Sequence, residues 1–289
     1  MDTLTLQALA KLSDEELAVA LTASSRQEAF EAAIATADDA VRGHWAERLA
    51  ALVSGGWGEP RARLWMGVQL GGLGDPRLLS PTDEGYWAAV ELKSGETVRL
   101  GRHLVTNREF QSFVASGGYN DDANWSAEGL AWRNATADTW PELAKRDGVD
   151  DFLVDNQPVV GVTYYEAEAF AAGSSARLPR WYERVRAVRG AEKRPYPWGS
   201  PFGEGNTNSK EEVLMRPCAV GLYAKDCTPE GIYDLAGNVA EWVGEQSGSE
   251  QFYHPGSYDQ PSLACWAKAM SSQRRDARWG GLGFRLARD

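Results

Sequence analysis

The stretch that decides the fold is Gly231-Ile-Tyr-Asp-Leu-Ala-Gly-Asn-Val-Ala-Glu-Trp-Val243, followed forty residues later by Gly283-Phe-Arg285. Two glycines, an Asn, a Glu and a Trp this close together match neither the 3.6-residue period of a helix nor the alternation of a strand. The pattern predicts a tight, irregular turn, with Trp242 filling the hydrophobic core behind it.

Length and composition indicate a globular protein with a substantial core. The chain has 289 residues, 43% of them hydrophobic, which allows one large domain or one domain with a small appendage. Its 30 Gly and 12 Trp favour a loop-rich fold with an aromatic core over a helical bundle. We expect a helical segment and connector at 1–80 and the main domain at 81–289.

The charge is large and unevenly distributed. A formal net charge of −11 disfavours non-specific binding to nucleic acid, because the phosphate backbone is repelled. Residues 259–289 hold six Lys or Arg against three Asp, a local +3, so the remainder carries −14. Two interpretations stay open for this basic end, a binding face and an ordinary solvated surface.

Cysteine usage and the N-terminus favour a cytoplasmic protein. Cys218, Cys227 and Cys265 are too few, and odd in number, for a disulfide framework. Cys218 and Cys227 could form a disulfide as the alternative to free thiols, but free thiols are the usual state in the cytoplasm. The opening residues lack the basic and apolar regions of a secretory signal, and no run of 18 apolar residues predicts a membrane span.

The first residues, to about 55, are predicted to be helical. Ser13-Asp-Glu-Glu16 and Ser25-Arg-Gln-Glu28 have the capping-box pattern, and a third helix is expected over about 39–53, ending at Gly55-Gly56. Short amphipathic helices bury little surface alone. We therefore expect them to dock on the main domain or on a partner.

The main domain begins with two predicted strands, 86–92 and 97–105, joined by a turn at Ser94-Gly95. Thr106-Asn-Arg-Glu109 and Thr163-Tyr-Tyr-Glu166 each predict a capped helix start. Residues 119–157, rich in Asp, Asn and Trp, are expected to form a long loop region.

Seven short blocks are spread over about 86–288. The blocks are Val105-Thr-Asn107, Pro158-Val-Val-Gly-Val162, Arg177-Leu-Pro179, Tyr196-Pro-Trp-Gly199, Asp234 to Trp242, Gly256-Ser-Tyr258 and Gly283-Phe-Arg285. They occur in the order found in the formylglycine-generating-enzyme (sulfatase-modifying-factor) family, which the chain resembles. The resemblance implies an α+β, C-type lectin-like fold of the formylglycine-generating-enzyme type, with the N-terminal helices as an appendage.

The chain departs from the copper-dependent members at one cysteine. Those members bind Cu(I) through two cysteines five residues apart, and the corresponding positions here are Gln260 and Cys265. An amide is a poor ligand for a soft metal, so copper is not expected. The chain also has only three histidines (His44, His103 and His254), none at the spacing of a ligand pair, which disfavours the histidine-ligated iron of another branch. Cys265 is expected to be a buried structural thiol.

The chain also resembles the variable proteins of diversity-generating retroelements, which use this fold to display a ligand-binding segment near the C-terminus. A Cys often lies eight residues after the Ser there, as Cys265 does after Ser257. The mixture of Trp, Met and Arg in 258–279 is typical of binding hot spots. The candidate ligand-binding residues are Tyr258, Asp259, Gln260, Ser262, Ala264, Trp266, Lys268, Met270, Arg274, Arg275, Arg278 and Trp279.

Calcium is the candidate structural cofactor. Relatives bind it in the glycine-rich turn, where Asn238 and Glu241 stand here, and the alternative is that both side chains only hydrogen-bond the turn. Asn206 and Thr207 resemble a second calcium site, although no downstream acidic partner is evident.

These observations predict a non-catalytic protein that binds a protein or peptide through 258–279, with neither nucleic acid nor membrane as a partner. The alternative is a metal-dependent oxidase of the same family with altered metal ligands. A third hypothesis is that the N-terminal helices recruit partners. If 258–279 forms a surface, replacing Trp266, Arg275 and Trp279 by Ala leaves the melting temperature nearly unchanged.

Overall fold

The computed structural model describes residues 3–136, 140 and 152–289, with side chains from residue 6 onward. Five helices come first: α1 (Thr3–Leu9), α2 (Asp14–Ala20), α3 (Ser24–Ala35), α4 (Asp39–Gly55) and α5 (Pro60–Leu73). The main domain follows with β1 (Trp87–Glu91), β2 (Thr97–Gly101), α6 (Asn107–Ala115), α7 (Ala127–Ala135), α8 (Tyr164–Gly173), α9 (Trp181–Arg189), β3 (Ala240–Ser247), β4 (Glu250–His254), β5 (Ser271–Arg274), β6 (Leu282–Gly283) and β7 (Ala287–Arg288). The predicted α+β class is confirmed.

Local sequence signals account for most helix ends. The capping boxes at Ser13, Thr106 and Thr163 are present, with the hydroxyl accepting from the Glu amide and the Glu carboxylate accepting from the Ser or Thr amide. Gly56 ends α4 with φ 69°, the left-handed conformation that glycine adopts without strain. The capping box predicted at Ser25 is wrong, because α3 begins one residue earlier, at Ser24. The N-cap residue is Ala23, whose side chain cannot accept a hydrogen bond.

The N-terminal helices pack on the main domain, one of the two outcomes expected of them. Leu17, Phe30 and Trp45 are fully or almost fully buried in one hydrophobic cluster that also contains Leu222 and Tyr223. The helices therefore share a core with the loop that precedes the glycine-rich turn. Val19 and Trp57 remain exposed on this segment, so a partner that docks there stays a hypothesis.

Two small sheets frame the C-terminal half. One is antiparallel, in the order β1-β2-β7, with Ala88 opposite Leu100 and Leu100 opposite Ala287. The other has the order β5-β4-β3-β6, antiparallel except for the parallel pair β3-β6, where Ala240 lies opposite Leu282. The main core between them is aromatic, with Phe110, Trp140, Trp242 and Phe284 fully buried. The second sheet thus contains the end of the glycine-rich turn, in β3, and part of the C-terminal segment, in β5.

The prediction of a long loop region at 119–157 is wrong in part. The region contains a short 3-10 helix (Asp122–Asn124) and the nine-residue α7, whose N-cap Ser126 accepts from the amide of Gly129. Residues 137–139 and 141–151 of that region lie outside the described residues. Within the part of the chain that the structure covers, no helix is both long and apolar enough to cross a bilayer.

Candidate functional site

The glycine-rich turn is organised by Asp226, which precedes it. One carboxylate accepts hydrogen bonds from the amides of Ala236 (3.0 Å) and Gly237 (3.2 Å) and from the Thr207 hydroxyl (2.5 Å). A side chain at Gly237 would overlap the Asn208 carbonyl and the Thr207 hydroxyl, so the close approach requires glycine. Burial raises the pKa of Asp226 to about 6. Sequence reasoning missed this residue, which lies outside the quoted stretch.

Asn238 holds the turn to the loop before it. Its Oδ1 accepts from the amide of Cys218 (3.0 Å) and its Nδ2 donates to the Cys218 carbonyl (3.2 Å). Its own amide donates to the Asn208 carbonyl (2.8 Å), with the Asn238 backbone in the left-handed region at φ 68°. The side chain is therefore fully engaged with backbone groups.

Glu241 lies between two buried arginines. Arg184 donates to its Oε1 at 2.7 Å, and the Nε of Arg285 donates to its Oε2 at 2.5 Å. Burial acts to raise the pKa of Glu241, but Arg184 and Arg285 outweigh it and lower the pKa to about 2. This charged cluster joins α9, β3 and the C-terminal Gly-Phe-Arg block inside the core.

The calcium site at Asn238 and Glu241 stays a prediction, and these contacts do not favour it. Both Glu241 oxygens are bound by guanidinium groups, and a calcium ion beside two arginines would meet repulsion in place of ligands. The alternative, side chains that hydrogen-bond the fold, is what the structure contains. The second site stays a prediction: Asn206 is buried, and the hydroxyl of Thr207 is bound to Asp226.

The residues that would hold a redox metal do not fit one. Cys265 is fully buried, burial raises the pKa of its thiol, and Gln260 in the other ligand position is exposed. His103 and His254 are also buried, and burial lowers the pKa of each to about 3. Among the residues described, no three His, Cys, Asp or Glu side chains lie together as a metal-binding group.

The C-terminal segment, residues 258–279, has a fixed backbone with side chains on both sides. Cys265 and Ala267 are buried, whereas Trp266, Lys268 and Met270 between and after them are exposed. Trp266 is 39% and Met270 47% exposed. The segment thus presents alternate residues outward, although only 271–274 form a regular strand.

Backbone contacts anchor this segment to the rest of the domain. The Gln260 carbonyl accepts from the amide of Lys210 (3.0 Å), and the amide of Ala267 donates to the Pro195 carbonyl (2.9 Å). The amide of Ser262 donates to the Glu211 carboxylate (2.8 Å). The exposed side chains of the C-terminal segment are therefore carried by a backbone that is fixed to the rest of the domain.

Four of the candidates with large side chains are buried or half-buried. Tyr258 is buried, with its ring 6.1 Å from that of Phe152. Trp279 is half-buried and packs edge-on against Tyr253, with 5.4 Å between ring centres. Arg275 and Arg278 are half-buried, and Arg275 forms an ion pair with Glu128.

The remaining candidates are wholly or partly accessible to solvent. Gln260, Trp266, Lys268, Met270 and Arg274 are exposed. Asp259, Ser262 and Ala264 are half-buried beside them. The predicted set therefore divides into an outward group, centred on 260–274, and an inward group.

Several curated proteins are similar to this chain. Hercynine oxygenase of Mycolicibacterium thermoresistibile is 33% identical over 193 residues, which cover 63% of this chain and 43% of the relative. Formylglycine-generating enzyme of Thermomonospora curvata is 30% identical over 188 residues, covering 52% of this chain and 61% of the relative. The chain thus spans less than half the length of the hercynine oxygenases that it matches.

Two solved structures are similar at a lower level. PvdO from Pseudomonas aeruginosa has a TM-score of 0.49 at 19% identity and covers 68% of this chain and 81% of its own. Treponema denticola variable protein 1 has a TM-score of 0.47 at 19% identity, with 66% and 84% covered. The model of the sulfatase-modifying factor enzyme 1-like domain matches residues 82–289, and the chain belongs to this family.

Proposed function

We propose that this protein is a ligand-binding member of its family and that it binds a protein or peptide through the outward side chains of 260–274. One observation carries the proposal. Three of the nine large apolar side chains exposed among the described residues, Leu263, Trp266 and Met270, lie within eight residues of each other. Clustered exposed apolar side chains are typical of interaction sites.

Charged side chains lie close to these three apolar residues in the sequence. Lys268 lies between Trp266 and Met270, and Arg274 follows on β5, where its guanidinium is paired with Asp276 at 2.6 Å. Aromatic, Met and Arg side chains are enriched in protein interfaces, and Trp, Tyr and Arg are the residues most often found at their hot spots. The local positive charge on an acidic chain favours a ligand that carries negative charge.

A selection from a displayed library of random peptides tests the proposal. We expect peptides that bind the wild type and lose binding on the double change Trp266→Ala and Met270→Ala. The matched control is Met215→Ala, since Met215 is 51% exposed and lies elsewhere on the surface. Failure to select any peptide, or peptides that bind the double variant equally well, would contradict the proposal.

The second candidate function is a metal-dependent oxidase with altered ligands. The names of two relatives favour it, because hercynine oxygenase and formylglycine-generating enzyme both describe enzymes, whereas a mouse relative is named inactive C-alpha-formylglycine-generating enzyme 2. The donor set opposes it, since Gln260 is exposed where the resemblance calls for a thiolate and Cys265 is buried.

Metal analysis and an aerobic assay separate the two functions. The binding proposal predicts no stoichiometric copper or iron in purified protein and no conversion of a cysteine peptide to its aldehyde in air. Near-stoichiometric metal, together with turnover that Cys265→Ser abolishes, would establish the oxidase.

A further inference from the structure

A concave surface lies on the side of α9 that faces the turn between β1 and β2. Its volume is about 710 Å³, within the range of roughly 300–1,000 Å³ that small-molecule sites occupy. Neither the proposed peptide surface nor the glycine-rich turn accounts for it. The lining residues come from the turn, from α9 and its end, and from Lys268.

The lining, termed the basic cleft, is strongly cationic. Five of its twelve residues are Lys or Arg, against 30 of 289 in the whole chain, and one is acidic. A net charge of −11 makes this concentration of positive charge unusual for the chain. The cations are Lys93, Arg186, Arg189, Lys193 and Lys268, and the acidic residue is Glu96.

Most of this charge is not neutralised by the protein. Lys93, Arg189, Lys193 and Lys268 form no ion pair with any residue that the structure describes, whereas the neighbouring Arg194 is paired with Glu192. Unpaired cations around one cavity repel each other, and a bound anion would relieve that repulsion. The basic cleft therefore has the electrostatics of an anion site.

Arg186 fixes the two sides of the basic cleft relative to each other. Its Nε donates to the Glu91 carbonyl at the end of β1 (2.7 Å), and its Nη1 donates to the Gly190 carbonyl at the end of α9 (2.8 Å). Lys93 and Lys193 follow these two carbonyls within a few residues. The cations are thus carried on a pre-arranged frame, which lowers the entropy cost of binding.

The wall of the basic cleft is aromatic and apolar. Trp181 and Tyr182 form the first turn of α9, and Val185 and Leu92 complete the apolar lining. Tyr182 is 44% exposed, so one aromatic side chain is available to a ligand. The indole N–H of Trp181 is buried and has no hydrogen-bond partner among the described residues, a donor that the fold leaves unused.

We propose that the basic cleft binds a nucleoside di- or triphosphate. Lysines bind phosphate as mobile point charges, and three of the five cations are lysines. The aromatic wall offers a stacking surface for a planar base beside them. The cavity volume suits a molecule of this size. The inference is independent of the peptide-binding proposal, and Lys268, which borders both surfaces, is left intact in its test.

Calorimetry with ATP, inorganic tripolyphosphate and adenosine on the full chain tests the assignment. ATP should bind more tightly than either of the others, and its affinity should fall as NaCl is raised from about 50 to about 200 mM. The double change Lys93→Ala and Lys193→Ala should weaken ATP binding by about tenfold or more. Tyr182→Leu should weaken ATP binding and leave tripolyphosphate binding unchanged.

The control removes the same charge elsewhere. Lys210 and Lys225 are exposed and lie outside the basic cleft, so Lys210→Ala with Lys225→Ala should bind ATP like the wild type. No binding of ATP at low salt overturns the proposal, as does equal weakening by the two double variants. Tripolyphosphate binding as tight as ATP overturns the nucleotide assignment. The peptide selection above is unaffected by these changes, so the two proposals fail separately.

Discussion

The glycine-rich turn, 231–243, and the C-terminal segment, 258–279, lie next to each other and differ in what their side chains do. In the turn, Asn238, Glu241 and Trp242 are all buried, and each has a hydrogen-bond partner in another part of the chain. In the segment, buried and exposed residues alternate on a backbone held from outside. The turn can change little without loss of folding, whereas the outward half of the segment can vary.

The largest effect is expected where the turn meets the core. Glu241→Ala leaves Arg184 and Arg285 buried without their carboxylate, which should cost about 3–5 kcal/mol of unfolding free energy. Glu192→Ala is the control, because the exposed pair with Arg194 contributes about 0–1 kcal/mol. Urea unfolding of both variants measures the difference, and equal stabilities would mean that the buried cluster does not hold the turn.

The next largest effect is expected in how the unfolding free energy depends on pH, through Asp234 in the turn. Burial raises the pKa of Asp234 from 3.8 to about 7, with the Asp226 carboxylate adding to the rise. A carboxyl whose pKa is raised on folding stabilises the fold most below its ordinary pKa, and that contribution is lost as the pH rises toward 7.

Asp234→Asn removes the part of this dependence that belongs to Asp234, whereas Asp226, whose pKa burial raises to about 6, still titrates in the variant. The variant should therefore gain stability relative to the wild type, by about 2 kcal/mol, between pH 5 and pH 8. The buried histidines titrate in both proteins and cancel in the comparison. Unfolding free energies at the two pH values provide the measurement, and a difference that is constant or of the opposite sign contradicts the assignment.

Gly237→Ala tests the close approach within the turn. The added methyl would overlap the Asn208 carbonyl and the Thr207 hydroxyl, at an expected cost of about 1–3 kcal/mol. Gly43→Ala is the control, because nothing lies within 4 Å of that position on α4 and Ala favours a helix by roughly 0.5–1 kcal/mol. Thermal unfolding should thus show opposite signs for the two changes; the same sign for both would refute the packing argument.

The smallest effects are expected from the two tryptophans of the C-terminal segment, Trp266 and Trp279. Trp279→Ala removes a ring packed on Tyr253 and should cost about 1 kcal/mol or more, in contrast to the nearly unchanged melting temperature that the sequence alone predicts. Trp266→Ala, at a residue 39% exposed, should cost about 0.5 kcal/mol or less. Equal losses in thermal unfolding would remove the distinction between inward and outward residues.

Sequence alone was sufficient where the signal is local. The capping boxes at Ser13, Thr106 and Thr163 involve residues three apart, and the structure contains all three. The capping box predicted at Ser25 is absent because the helix already begins at Ser24, with Ala23 as its N-cap residue, so Ser25 lies inside the first turn. Helix starts are thus predictable from sequence to within a residue or two.

The site could not be predicted as fully, since its contacts are distant in sequence. Glu241 is paired with Arg184, 57 residues before it, and with Arg285, 44 residues after it. The sequence around Glu241 gives no sign of such partners. The same limit applies to the basic cleft, whose lysines come from three separate parts of the chain.

The measurement that tests the account most directly is thermal unfolding of the triple variant Trp266→Ala, Lys268→Ala and Met270→Ala, made alongside peptide binding. If these side chains form a surface on a rigid support, the melting temperature should move by less than about 3 °C while peptide binding is lost. A fall in melting temperature of about 10 °C or more would show that the three residues hold the fold together, and the binding surface would not exist.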